Sequence, residues 1–136
     1  ILMGRKTVES LPKPLDRRVI FCVSDSYKES STKYAFKSMM LKLALSCSRW
    51  QSDQLKTDKI FVGGGSQLYR STFDITDELW ITEVANDVVN CDTWYKIPKD
   101  NFTMFEHTNW MDHTNPLGET LTYRFTKWGR KQVFNS

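Results

Sequence analysis

The sequence predicts an α/β fold: a mostly parallel central sheet, flanking helices and an antiparallel C-terminal hairpin. Three observations carry the prediction. Arg18–Val23 is a continuous β-rich apolar run, the pattern of a strand buried on both faces. Lys59-Ile60-Phe61-Val62 is a second such run, and it passes through Gly63-Gly64-Gly65 into a helical stretch, Ser66–Arg70. Near the C-terminus, Leu121, Tyr123 and Phe125 alternate with polar residues, which is the period of a strand with one covered face. Strands separated by helices, then paired strands, describe a parallel sheet with an antiparallel edge.

The elements follow in order. Ile1-Leu2-Met3 is the end of a buried strand, and Gly4-Arg5-Lys6-Thr7 turns into a short helix over Thr7–Leu11, with Thr7 as its cap and Pro12 and Pro14 as its stop. After the Arg18–Val23 strand, residues 24–33 are polar and loop-like, and Tyr34-Ala35-Phe36 is a short strand. Ser38 caps a helix from Met39 to about Arg49, with Met39, Met40, Leu43 and Cys47 on its core face. Leu79–Val84 is a third strand. Phe102–Trp110 and Leu121–Trp128 pair antiparallel, with Asn115-Pro116-Leu117-Gly118 supplying the turn between them.

Composition narrows the function classes. At 136 residues, 40% hydrophobic and 26% charged, the chain has the size of one globular domain, and its eight Phe, five Tyr and five Trp exclude a wholly disordered one. A net charge of +3 without a basic stripe does not suggest a nucleic-acid partner. No apolar run is long enough to span a membrane. Three cysteines, with no C-x-x-C, fit a reduced, intracellular and cytoplasmic setting. His107, His113, Cys91 and Asp92 match no metal-ligand spacing, so no metal is expected.

Two strand-to-helix turns can carry chemistry. In "KIFVGGGSQLYR" the glycines let backbone approach a ligand, and amides at a helix start favour phosphate. It is neither a Walker loop nor G-x-G-x-x-G, and a tight structural turn is the other reading. In "MGRKT" two cations stand at a helix start, where acids are usual. Anion binding explains the inversion; surface solvation also does.

Taken together, these stretches resemble the dihydrofolate reductase family. The match lies in order and spacing: "MGRKTVESLPKPLDRR", a β-rich strand ending in Ser24, "IFVGGGSQLY", "DELWITEV", "CDTWY" and a final hairpin ending in "YRFTKW". The resemblance implies NADPH-dependent reduction of 7,8-dihydrofolate to tetrahydrofolate, with NADPH as cofactor and dihydrofolate as substrate. Gly64 and Gly65 match a cis-linked glycine pair beside the nicotinamide and pyrophosphate. Ser66, Gln67 and Leu68 match the helix start over the pyrophosphate, and Tyr69 a residue near the nicotinamide. Arg5, Lys6 and Thr7 match a second phosphate-binding turn. Ser24 matches a contact of the adenosine 2′-phosphate, and Lys37 falls near another basic position of that pocket.

On the substrate side, Arg18 matches the arginine that grips the α-carboxylate of the glutamate tail, a task suited to a planar guanidinium. Leu11 and Leu15 match the apolar walls around the benzoyl group, with Ser10 beside them. Thr82 matches the threonine that supports the catalytic carboxylate and the pterin amino group. Core packing is the competing reading for Leu11, Leu15 and Thr82. Five positions depart from the pattern: Val8 replaces an aromatic, Asp16-Arg17 a Pro-Gly turn, Gly63 a larger apolar residue, and Asp25 places an acid beside the expected 2′-phosphate.

In the resembling family a strand, a mobile loop and a helix, about 40 residues by ordinary element lengths, precede "MGRKT" and carry the active-site acid. The expectation is therefore a single, N-terminally incomplete domain spanning residues 1–136, inactive and unstable alone. A cleaved or partial form of the enzyme is one explanation. The others are a partner chain supplying the strand and acid, and a non-catalytic structural or scaffold subunit of a larger assembly. A reductase for another pterin-like or pyrimidine substrate is disfavoured by Arg18.

Overall fold

A computed structural model describes residues 1–25 and 36–132, the side chains of 36–38 excepted. Tyr34, Ala35, the stretch from 26 to 33 and the Lys37 side chain, all assigned from sequence above, lie outside the described residues. The chain divides into two compact units, Ile1–Asp74 and Ile75–Ser136.

The first unit holds three parallel strands in the order β1 (Leu2–Gly4), β2 (Phe21–Val23) and β3 (Phe36–Met39). Residue pairs Leu2–Phe21, Met3–Cys22 and Gly4–Val23 set the β1–β2 register. A parallel bridge joins Leu2 to Val62 on the other side of β1. One core cluster consists of Leu2, Phe21, Ala44 and Leu68, and a second of Met3, Val8, Ile20 and Cys22. The apolar run at 18–23 is thus core-forming as expected, although its ladder is confined to Phe21–Val23. The run at 59–62 is not a buried strand: it makes a single bridge, and Ile60 and Phe61 are 36% and 41% exposed.

Helix α1 spans Arg5–Glu9 and starts from Gly4, so Thr7 lies inside the helix and does not cap it. The helix closes through the Ser10 amide on the Lys6 carbonyl, just before Pro12 ends the chance of a further turn. Helix α2 runs Leu41–Leu55 from Met40, and Ser38, being part of β3, is not its cap. Of the expected core residues, Met39 and Cys47 do pack on the core, but the centre of the buried face is shifted. Leu41, Ala44 and Leu45 pack on the core and Ser48 is buried, at i, i+3, i+4 and i+7, whereas Met40 and Leu43 are 62% and 51% exposed. The helix passes Arg49 because only at Lys56, in left-handed backbone with φ 51°, does the chain turn out of it. Helix α3 covers Ser66–Thr72.

The second unit is antiparallel. The 11-residue β7 (Thr120–Arg130) pairs with β4 (Glu78–Val84), β5 (Phe102–His107) and β6 (Met111–Thr114). The third predicted strand therefore pairs antiparallel, residue for residue from Glu78–Gly129 to Val84–Tyr123. Phe102–Trp110 is not one strand: it breaks after His107, where the Phe125 amide donates to Thr108 Oγ1 at 3.0 Å. The predicted turn does form, between β6 and β7. Asn115 Oδ1 accepts the Leu117 and Glu119 amides, both at 3.0 Å, and Gly118 takes φ +82°.

Candidate functional site

The site is built at one end of the first unit's parallel strands. The segment at 61–64 is laced to β1 by three backbone bonds: Leu2 amide to Phe61 carbonyl at 2.8 Å, Gly63 amide to Leu2 carbonyl at 2.8 Å, and Gly4 amide to Gly64 carbonyl at 2.7 Å. The last of these joins the two turns that the sequence marks separately. A Cβ on Gly4 would lie 3.5 Å from the Gly65 nitrogen, and one on Gly65 would lie 3.5 Å from Thr7 Oγ1. The Gly4–Thr7 and Gly64–Ser66 backbones are therefore neighbours at the carboxyl ends of their strands, the edge at which parallel sheets take ligands.

Glycine is required at 64 for two reasons. Its φ is +97°, and a Cβ there would meet the Tyr69 ring at 3.2–3.3 Å. The Gly64–Gly65 peptide bond is cis, as the resemblance implies. Gly63 is explained by Met3, whose Cε and Cγ would stand 2.8 and 3.1 Å from a Cβ at that position. Tyr69 is anchored by its amide on the Gly65 carbonyl at 3.0 Å, and burial pushes its phenol above the usual tyrosine range.

The charged groups are arranged as follows. Arg5 Nη1 donates to both carboxylate oxygens of Glu9, at 3.0 and 3.3 Å, one helical turn on. Lys6 is exposed. Ser24 follows the last paired residue of β2, its amide donating to the Met39 carbonyl at 3.0 Å, and the exposed Asp25 comes next. Ser66 is half-buried and Gln67 exposed. Leu68 is buried at 6% exposure in the core cluster with Leu2, so only its backbone is available to a ligand.

Leu11 and Leu15 pack, half-buried, against the cluster of Met3, Val8, Ile20 and Cys22. Ser10 Oγ donates to the Thr7 carbonyl at 2.7 Å. Arg18 is exposed, and its Nη1 donates to the Asp16 carbonyl at 3.2 Å. Arg17 takes φ 52°, the left-handed backbone that a glycine would hold without strain. Thr82 belongs to the second unit, exposed on β4 opposite Phe125.

Two features escape sequence reasoning. The Arg5–Glu9 pair has an i, i+4 spacing, which becomes an ion pair only once α1 is seen to start at Arg5. A groove of about 350 Å³ lined by Phe21, Met39, Cys47 and Trp50 lies under α2 and includes none of the candidate residues. Among the described residues no group of three His, Cys, Asp or Glu side chains is placed to hold a metal.

The dihydrofolate reductase family model matches residues 1–130. The dihydrofolate reductase of Mycoplasma genitalium is 30% identical over 110 residues, covering 78% of this chain and 65% of that protein. The Candida albicans dihydrofolate reductase is 28% identical over 149 residues, covering 96% and 73%. The bifunctional dihydrofolate reductase-thymidylate synthase of Glycine max is 28% identical over 137 residues, 96% of this chain and 25% of that protein. The chain thus spans less than two thirds of the length of several relatives it matches. On the match over residues 1–130, and with its glycine turn and cationic turn side by side, the chain belongs to the dihydrofolate reductase family.

Proposed function

We propose that the protein works as a dihydrofolate reductase, reducing 7,8-dihydrofolate to tetrahydrofolate with NADPH. The observation that carries the reading is the 2.7 Å bond from the Gly4 amide to the Gly64 carbonyl, which sets a side-chain-free double turn beside Arg5, Lys6 and Thr7. Such a cradle fits a pyrophosphate: the glycines leave room for it, and cations and backbone amides favour its charge. NADPH, when bound, supplies the hydride.

The chain's own residues bind and orient. Gly64, Gly65, Ser66, Gln67 and the Leu68 backbone line one side of the proposed cofactor site, with Arg5, Lys6 and Thr7 on the other. Ser24 takes the adenosine end in this reading and Tyr69 the nicotinamide, while the role of Lys37, whose side chain lies outside the described residues, rests on the resemblance alone. Leu11, Leu15 and Ser10 form the wall for the benzoyl group, and Arg18, exposed and donating to the Asp16 carbonyl, takes the glutamate carboxylate. For Thr82, in the second unit, the pterin role rests on the resemblance alone. Positioning of the two reactants is the protein's main contribution, since the cofactor holds the reducing power. The scaffold alternative is not favoured, because the relatives named above are reductases.

The described cysteines are free thiols, which suits the reducing cytoplasm where we place the protein. Among the described residues no helix is long and apolar enough to cross a membrane. The test is NADPH oxidation that depends on added dihydrofolate. Arg18→Ala is expected to raise KM for dihydrofolate about tenfold or more and leave that for NADPH unchanged. Equal effects on both would remove Arg18 from the folate site, and no dihydrofolate-dependent oxidation by the unaltered protein would overturn the reading.

A further inference from the structure

The double turn offers an anion two cations, Arg5 and Lys6, but Arg5 already holds a carboxylate. Its Nη1 donates to both oxygens of Glu9, at 3.0 and 3.3 Å. The helix builds this pair in. Arg5 and Glu9 stand four residues apart on α1, the spacing at which side chains meet. Val8 between them is 1% exposed and packs with Met3, Ile20 and Cys22, which fixes the helix that carries the pair. The two side chains are 31% and 32% exposed, so water and salt screen them only in part. A phosphate that comes to the Arg5 guanidinium therefore meets a second anion, 3.0 Å from the same group. A guanidinium shared between two anions holds each less tightly than one that holds a single anion. The anions repel each other and compete for the same N–H donors.

We infer that Glu9 restrains the anion site: it competes with a phosphate for Arg5, and so holds the affinity for a dinucleotide below what the cations and amides of the turn would reach alone. The inference rests on the dinucleotide reading above. Glu9 is a positioning residue that acts through Arg5. The pyrophosphate that it opposes is common to NADPH and NADH, so the restraint is the same for both and carries no choice between them.

Equilibrium titration with NADPH and with NADH, in the absence of folate, tests it in the unaltered protein, Glu9→Gln, Arg5→Met and the double variant. Glu9→Gln keeps the length of the side chain and removes its charge. It is expected to lower both Kd values by about fivefold, the scale of a part-exposed ion pair. The gain is expected to vanish in the Arg5→Met background, a non-additivity that loss of structure or a change in overall charge would not produce. Affinity unchanged or weakened by Glu9→Gln, a gain confined to one dinucleotide, or a gain that persists without Arg5 would overturn the inference and leave the dinucleotide reading intact. Binding of neither dinucleotide by the unaltered protein would overturn both.

Discussion

The amide of Gly4 donates to the carbonyl of Gly64 across 2.7 Å, tying the start of α1 to the glycine turn that precedes α3. Residues 60 positions apart thereby form one edge of the first unit, with Thr7 and Gly65 in contact distance behind them. The predictions below follow from this relationship and from the packing around it.

Gly64→Ala should be damaging where Gly118→Ala is mild. Both glycines have positive φ, +97° and +82°, but a Cβ at 118 meets open space and one at 64 meets the Tyr69 ring. The expected costs are about 1 kcal/mol at 118 and about 2–3 kcal/mol at 64. Denaturant titration of the two variants checks this, and NADPH binding should weaken only in the Gly64 variant.

Arg17→Gly should stabilise. Arg17 holds φ 52° with its side chain almost wholly in solvent, and its 3.7 Å pair with Asp16 is exposed at both ends. Such a pair contributes little, and removing the strained Cβ gains about 0.5–1 kcal/mol net of the added chain entropy. The thermal midpoint of the variant should rise.

Thr126→Val should destabilise the second unit by about 1–3 kcal/mol despite its near-equal volume. The Thr126 hydroxyl is buried, donates to the Ile81 carbonyl at 3.0 Å and accepts from Trp128 Nε1 at 2.9 Å. The substitution strands the indole N–H. Tryptophan fluorescence during unfolding reports it, and Thr126→Ser, which keeps the hydroxyl, should recover most of the loss.

Cys22 should make folding stability fall at alkaline pH. Burial, reinforced by Glu9 and partly opposed by Arg5, raises its thiol above the usual value of 9.0. The folded state therefore holds the proton that the unfolded chain releases. Stability is full below pH 9 and declines as pH rises from there toward the folded-state value. Cys22→Ala should be less stable at neutral pH and lack that part of the alkaline decline, which urea unfolding across the pH range would show.

Much of this architecture was legible in the residues because it depends on local rules. The apolar run ending at Val23, the glycines before Ser66 and the Asn115–Gly118 turn each act through their own backbone preferences, and each appears where expected. Cap and phase assignments failed where tertiary bonding overrode local preference. Gly4, held by Gly64, stands at the start of α1 three residues before Thr7, and Ser38 is consumed by a strand. The break after His107 depends on a hydroxyl contact between Thr108 and Phe125, residues 17 apart, which no periodicity reveals. For the site, the residue types were readable, but the joining of the Arg5 and Gly64 turns is a long-range backbone contact and only the fold displays it.

The most direct test of the central claim is amide hydrogen exchange with and without saturating NADPH. The account predicts that NADPH slows exchange in both turns together, over Gly4–Thr7 and over Gly64–Gln67. Protection of one turn alone, or protection centred instead on the groove of Phe21, Met39 and Trp50, would contradict it.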